Sequence, residues 1–119
     1  MKNDKKIKER TYEFAVNIIH LVKKLPKDTA GFALGRQLIK SGTSIGADIE
    51  EATGAFSKGD FIFKMNIALK EARESNYWLR LIRDAGLMKE IVIKEVLDES
   101  ENLKNILSAI VKTSKERRC

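Results

Sequence analysis

The stretch from Leu38 to Leu81 reads LIKSGTSIGADIEEATGAFSKGDFIFKMNIALKEARESNYWLRL, and it decides the architecture. Upstream of a Ser57-Lys58-Gly59 break, Leu34, Leu38, Ile45, Ile49, Ala52 and Phe56 recur at steps of four, seven, four, three and four. One apolar helical stripe therefore passes through a small-residue patch at Ser41 or Gly42. Downstream, Phe61, Met65, Ala68, Ala72, Leu79, Ile82 and Gly86 keep the rhythm, with Ser75 on the seam between Ala72 and Leu79. Two long helices joined by a tight turn are expected to lie antiparallel.

The flanking thirds carry the same pattern. Ile7, Thr11, Phe14, Ile18, Leu21 and Leu25 alternate steps of four and three, Ala15, Ile19 and Val22 widen the stripe, and Pro26 stops it. Gly86 suits the left-handed residue just past a helix end. Beyond it Ile93, Val96, Leu103, Leu107 and Ile110 set a fourth seam, with Ser100 and Ser114 filling two of its positions. Ser57 followed by Asp60 resembles a capping box, with Asp in place of Glu or Gln. The expected fold is all-α, an antiparallel up-down-up-down four-helix bundle in one domain, with helices over roughly 6–25, 29–55, 58–85 and 89–115.

A chain of 119 residues, 43% of them hydrophobic, is enough for one such core. Its apolar runs fall far short of the about 20 residues that span a bilayer, and the charged N-terminus lacks the apolar core of a signal peptide, which points to the cytoplasm and away from membranes. The one cysteine, Cys119, ends the chain and reads as an exposed thiol rather than a ligand or nucleophile.

The formal net charge of +6 sits at the two ends. Residues 1–10 contribute +3, from Lys2, Lys5, Lys6, Lys8 and Arg10 against Asp4 and Glu9. Residues 112–118 contribute +3, from Lys112, Lys115, Arg117 and Arg118 against Glu116, and the body between sums to zero. In an up-down-up-down bundle the start of the first helix, the turn between the second and third, and the end of the fourth share one pole. Both basic tails and Lys58 are expected to converge there. Such a cluster holds phosphate by counterion release, without base-specific contacts. The plainer reading is that the tails are solvated termini that keep the chain soluble. No aromatic residue is interleaved with them, Tyr12 being the nearest.

Enzyme chemistry finds no support in the residue pattern. A di-metal bundle would place Glu-x-x-His on two helices; Glu50, Glu51, Glu71 and Glu74 are available, but the one histidine, His20, follows Asn17 rather than a carboxylate at the third position before it. No metal site or cofactor is expected, and His20 reads as a residue at the core boundary. Gly31, Gly35, Gly42 and Gly46 lie at helical spacings and form no phosphate-cradling loop, and no Ser-His-Asp set can be assembled.

Those glycines suggest packing instead. Gly35, Ile39, Gly42 and Gly46 make a narrow second stripe, and each glycine costs about 1 kcal/mol of helix stability relative to alanine. Close packing inside the bundle, a kink, or a neighbouring subunit would offset that cost. Trp78 and Leu81, with Ala85 and flanking Tyr77, form an apolar patch that either completes the core or meets another subunit.

With these residues in view, the chain resembles the small four-helix proteins of the 23S rRNA intervening-sequence family along nearly its whole length. The resemblance rests on Ser44-Ile45-Gly46-Ala47-Asp48-Ile49-Glu50-Glu51 and then on Ser57, Phe61, Ile67-Ala68-Leu69, Glu71, Glu74 and Tyr77-Trp78-Leu79. Many members have Pro where this chain has Gly46, Asn at Asp48 and Gly at Ala52. The resemblance implies a bundle that assembles as a pentameric ring or barrel, no established enzymatic activity, and no catalytic residues to carry over. Some members are encoded within insertions of large-subunit ribosomal RNA genes. A related group serves as accessory proteins of diversity-generating retroelements, where a basic pentamer works with a reverse transcriptase and nucleic acid. The polar positions Ser44, Asp48, Glu51, Glu71 and Glu74 are expected to form a buried or inter-subunit network, with Arg36 or Arg73 as partners.

Two functions compete on this basis. One is a non-catalytic homo-oligomer that holds the backbone of RNA or DNA at its basic pole. The other is a scaffold or adaptor for a protein such as a reverse transcriptase, the tails being incidental.

Overall fold

The computed structural model describes residues 2–117, with side chains from Lys6 onward. Four helices follow one another: α1 Lys2–Val22, α2 Thr29–Thr53, α3 Lys58–Asp84 and α4 Glu90–Glu116. Consecutive helices pack antiparallel, whereas α1 and α4 touch only sparsely. The body is a rod of 49 × 21 × 20 Å, the length expected of 27-residue helices at about 1.5 Å per residue plus their turns.

Local chemistry sets the boundaries. α1 closes at Val22 with short i to i+3 bonds from Lys24 to Leu21 and from Leu25 to Val22. Pro26 forces this tightening, because it disfavours helical backbone at the residue before it. The Asp28 carboxylate accepts from the Gly31 N–H at 2.9 Å and caps α2. Ser57 caps α3 by accepting from the Asp60 N–H at 3.1 Å. The Asp60 carboxylate reaches back to the N–H of Phe56, one residue earlier than in a capping box. Gly86 has φ 71°, and the bonds Gly86 N–H to Arg83 O and Leu87 N–H to Ile82 O complete a Schellman ending.

Every residue of the α1 seam is buried. In α2 both members of the small-residue patch, Ser41 and Gly42, face the core along with Gly31 and Gly35. Buried hydroxyls find partners both across helices and within them: Ser75 donates to Ser41 Oγ at 2.9 Å, and Thr11 to Ile7 O at 2.8 Å. Asn76 Nδ2 donates to Ser100 Oγ at 2.9 Å, and Ser100 in turn donates to Leu97 O at 2.7 Å. Asn76, Ile62, Leu69, Leu97 and Val111 are core positions outside the expected seams.

Several expectations are corrected. Phe56 is 98% exposed, because α2 ends at Thr53 and the helical period no longer carries the chain back to the core. Ile19 is 40% exposed, off the buried face of α1. Leu34, Phe61, Val96 and Ile110 are only partly buried, and His20 is exposed rather than at the core boundary. Gly86 lies beyond α3 and faces solvent.

Candidate nucleic-acid interface

The sparse contact between α1 and α4 leaves an open cleft of about 610 Å³ at the pole where α1 begins, α2 turns into α3, and α4 ends. Lys6, Arg10, Lys58 and Arg117 line it, so four of the expected basic residues from three separate segments are brought together. Its floor is apolar, made by Ile7, Phe61, Ile106 and Ile110. Lys112 and Lys115 are exposed on the last turns of α4 but do not line the cleft. The side chains of Lys2 and Lys5, and all of Arg118, lie outside the described residues.

The converging cations are not equivalent. Arg10 is held in a bidentate pair with Glu99, Nε to Oε2 at 3.0 Å and Nη2 to Oε1 at 2.7 Å. This pair clamps α1 to α4 across the open side, and the hydrogen bond to Glu99 raises the Arg10 pKa against the partial burial that would lower it. Lys8 lies 3.6 Å from Glu50. Among the described residues no carboxylate pairs with Lys6, Lys58 or Arg117, and all three are exposed. These three side chains, rather than Arg10 or Lys8, are available to an anion.

The opposite pole is also basic, which the end-to-end charge sum concealed. Lys23, Lys24 and Lys27 are exposed in the α1–α2 connection, and a groove of about 360 Å³ there is lined by Lys23, Lys27, Arg36 and the 57% exposed Phe32. Between the poles, the α1/α4 opening continues into a waist lined by Glu13, Glu95, Asp98 and Glu99. The zero sum of residues 11–111 thus hides a separation into basic ends and an acidic middle. The signal in the sequence was the Lys23-Lys24-Leu25-Pro26-Lys27 run at a helix end.

The expected polar network divides differently. Ser44 donates to the carbonyl of Lys40 within its own helix at 2.6 Å. Glu51 lies 3.9 Å from Lys64. Asp48 Oδ2 is buried without a hydrogen-bond partner, and no hydrogen bond joins Asp48, Glu71 and Glu74. Arg36 stands instead by the groove at the far pole. Burial raises the Asp48 pKa, helped by the charge of Glu51. Burial likewise raises that of Glu71, followed by Glu74 and Asp48, against Lys70 and Lys40. Among the described residues no group of three or more His, Cys, Asp or Glu is placed to hold a metal ion.

A testable consequence follows from the sign of these shifts. A carboxylate whose pKa is raised by folding penalises the folded state at high pH, and the penalty disappears below its ordinary value, here 3.8 for Asp48 and 4.5 for Glu71. The double variant Asp48→Asn/Glu71→Gln is expected to melt roughly 2 °C above wild type at pH 7, a modest gain because both side chains are part-exposed and screened. The difference should shrink as pH falls through the raised values and vanish below 3.8. Parallel melting curves across that range would contradict it.

The packing residues resolve more simply. A Cβ on Gly42 would meet Ile18 Cγ1 at 2.9 Å, and one on Gly35 would meet Val22 Cγ1 at 3.0 Å, so these glycines seat α1 on α2 inside the bundle. Gly46 has more room, its nearest neighbour being Thr11 O at 3.4 Å. Trp78 and Leu81 are half-buried. The Trp78 ring packs against the core and meets Tyr77 edge-on at 5.0 Å, yet its Nε1 is buried with no acceptor.

Among the described residues no helix is long and apolar enough to cross a membrane. No curated protein sequence gives a significant match to the chain. A solved structure of a protein of unknown function from the S23 ribosomal protein family of Bacteroides thetaiotaomicron superposes with a TM-score of 0.83. It is 40% identical in sequence, and the match covers 89% of this chain and 98% of that one. The model of the 23S rRNA-intervening sequence proteins matches residues 3–109. A match over so much of the bundle, on a fold that agrees, places this chain in the 23S rRNA-intervening sequence protein family.

Proposed function

We propose that the protein is a non-catalytic, self-associating bundle that binds the phosphate backbone of RNA or DNA at the pole formed by the start of α1, the α2–α3 turn and the end of α4. The observation that carries this reading is the convergence of Lys6, Lys58 and Arg117 around one open cleft, each without a carboxylate partner among the described residues. Clustered cations on exposed side chains bind polyphosphate backbone by counterion release, with little dependence on base sequence.

Self-association is supported by a different face. Phe63 and Tyr77 on α3 stand 62% and 48% exposed, and a second copy laid against α3 would cover that apolar surface. Assembly then repeats the basic pole around the oligomer, so one strand meets several clefts at high effective concentration.

The test compares the two poles. Lys58→Glu/Arg117→Glu is expected to weaken binding of a labelled RNA hairpin on the order of 100-fold by fluorescence anisotropy at low salt. Lys23→Glu/Lys27→Glu at the opposite end should change it by less than about 5-fold, with light scattering reporting an unchanged oligomer for both variants. Equal losses from both poles would show that only net charge matters and would defeat the assignment of a site.

A further inference from the structure

The cleft has more apolar surface than a phosphate grip requires. Its floor includes the half-buried ring of Phe61, and two residues before Lys58 the ring of Phe56 stands 98% exposed. The backbone that carries Phe56 is nonetheless ordered. Its N–H donates to Asp60 Oδ2 at 3.2 Å, and the preceding residues close the end of α2 through Gly54 N–H to Glu51 O and Ala55 N–H to Ala52 O, both at 3.1 Å. An isolated exposed aromatic needs no explanation. A firmly presented one two residues before Lys58, on the α2–α3 turn that borders the apolar cleft where Lys6, Lys58 and Arg117 converge, supplies the combination that holds unpaired nucleotides, a cationic track with rings on which bases stack.

Resting on the nucleic-acid reading above, we propose that this pole recognises unpaired nucleotides in preference to duplex, with Phe56 stacking one base and the Phe61-floored cleft admitting a neighbouring base or sugar while Lys6, Lys58 and Arg117 hold the phosphates. A duplex buries its base faces within its own stack and offers only phosphates and groove edges, so neither Phe56 nor the cleft floor gains from it. The cleft, about 610 Å³, is of the size that accepts a small organic ligand. The chemistry is indifferent to base identity, because every base has a π face.

The experiment uses the full chain and three labelled probes: a 20-nucleotide oligo-U strand, an RNA hairpin and a 20-base-pair DNA duplex, each titrated at several salt concentrations. The expected result is tighter binding of the single strand than of the duplex. Phe56→Ala should cost the single strand on the order of 10-fold and the duplex nothing. The salt slope should stay the same, since no charge is removed, and Phe56→Trp should restore binding with quenching of the new indole. Because Phe56 is exposed, its substitution should leave the urea midpoint at the wild-type value. Unchanged single-strand affinity in Phe56→Ala, or equal losses for strand and duplex, would overturn the proposal while leaving phosphate binding intact. Loss of the oligomer in Phe56→Ala would assign the ring to a protein contact and overturn it as well. Absence of binding to any probe at low salt would remove both this inference and the reading beneath it.

Discussion

A single methyl group at position 31 is expected to lower the unfolding free energy by about 3 kcal/mol. A Cβ built on Gly31 would fall 1.8 Å from the carbonyl oxygen of Pro26 and 2.8 Å from its carbon. These are backbone atoms, pinned by the proline ring and by Leu25, which is 6% exposed in the core. No side chain can rotate away, so the α1–α2 connection must shift. The same Cβ would press on Asp28 Oδ1 at 3.3 Å, the atom that caps α2, putting about 1 kcal/mol of capping at risk. Alanine's helix propensity returns about 1 kcal/mol at most and cannot offset the collision. Gly54→Ala is the matched control. Its φ of −100° suits any residue, and its added methyl would meet only Glu51 O at 3.8 Å. Urea unfolding should show a marked fall in midpoint for Gly31→Ala and a change within about 0.5 kcal/mol, or a small gain, for Gly54→Ala. Matching midpoints for the two variants would mean that the connection yields more easily than its geometry indicates.

The second large effect lies at the α1–α2 contact. Ile18 is fully buried, and its Cγ1, Cγ2 and Cβ lie 2.9, 3.0 and 3.3 Å from the position of a Cβ on Gly42. A β-branched side chain in a helix has one favoured rotamer, so Ile18 cannot turn aside. Gly42→Ala is expected to cost about 1–2 kcal/mol after its propensity gain. Ile18→Ala opens a cavity and should cost about 4 kcal/mol. Combined, the two should cost less than their sum by at least about 1 kcal/mol, because the new methyl enters space that Ile18 has vacated. Additive losses in the double-mutant cycle would mean that Gly42 and Ile18 do not share the contact on which the glycine stripe depends.

The sequence was most legible along the seams of α1, α2 and α3. All six positions of the α1 seam are buried, and the α2 and α3 seams agree with the structure from Leu38 to Ala52 and from Met65 to Ile82. On α4 the seam held at Ile93, Ser100, Leu103 and Leu107 and missed by one residue at Val96 and Ile110. There Leu97 and Val111 are core residues, whereas Val96 and Ile110 face the open side toward α1. These apolar residues look like seam positions because they line the cleft, and a stripe widened by a cleft cannot be phased by spacing alone. The convergence of Lys6, Lys58 and Arg117 followed from topology. The capture of Arg10 by Glu99, 89 residues away, did not, since a pair at that separation leaves no local pattern. Phe61 was read as seam and Phe56 as the last position of the stripe before it. Their roles at the pole depend on where α2 stops, and helix ends are the least legible feature of a sequence.

The most direct test of the account is the salt dependence of wild-type affinity for a labelled DNA duplex, read by anisotropy alongside oligomer mass. Three phosphate contacts from Lys6, Lys58 and Arg117 predict a slope of log affinity against log salt of about −2.7, a loss of about 40-fold between 50 and 200 mM, and a steeper slope if several clefts engage one duplex. Binding that ignores salt, or no binding at 50 mM, would contradict a phosphate-gripping pole and leave its cations as surface charge.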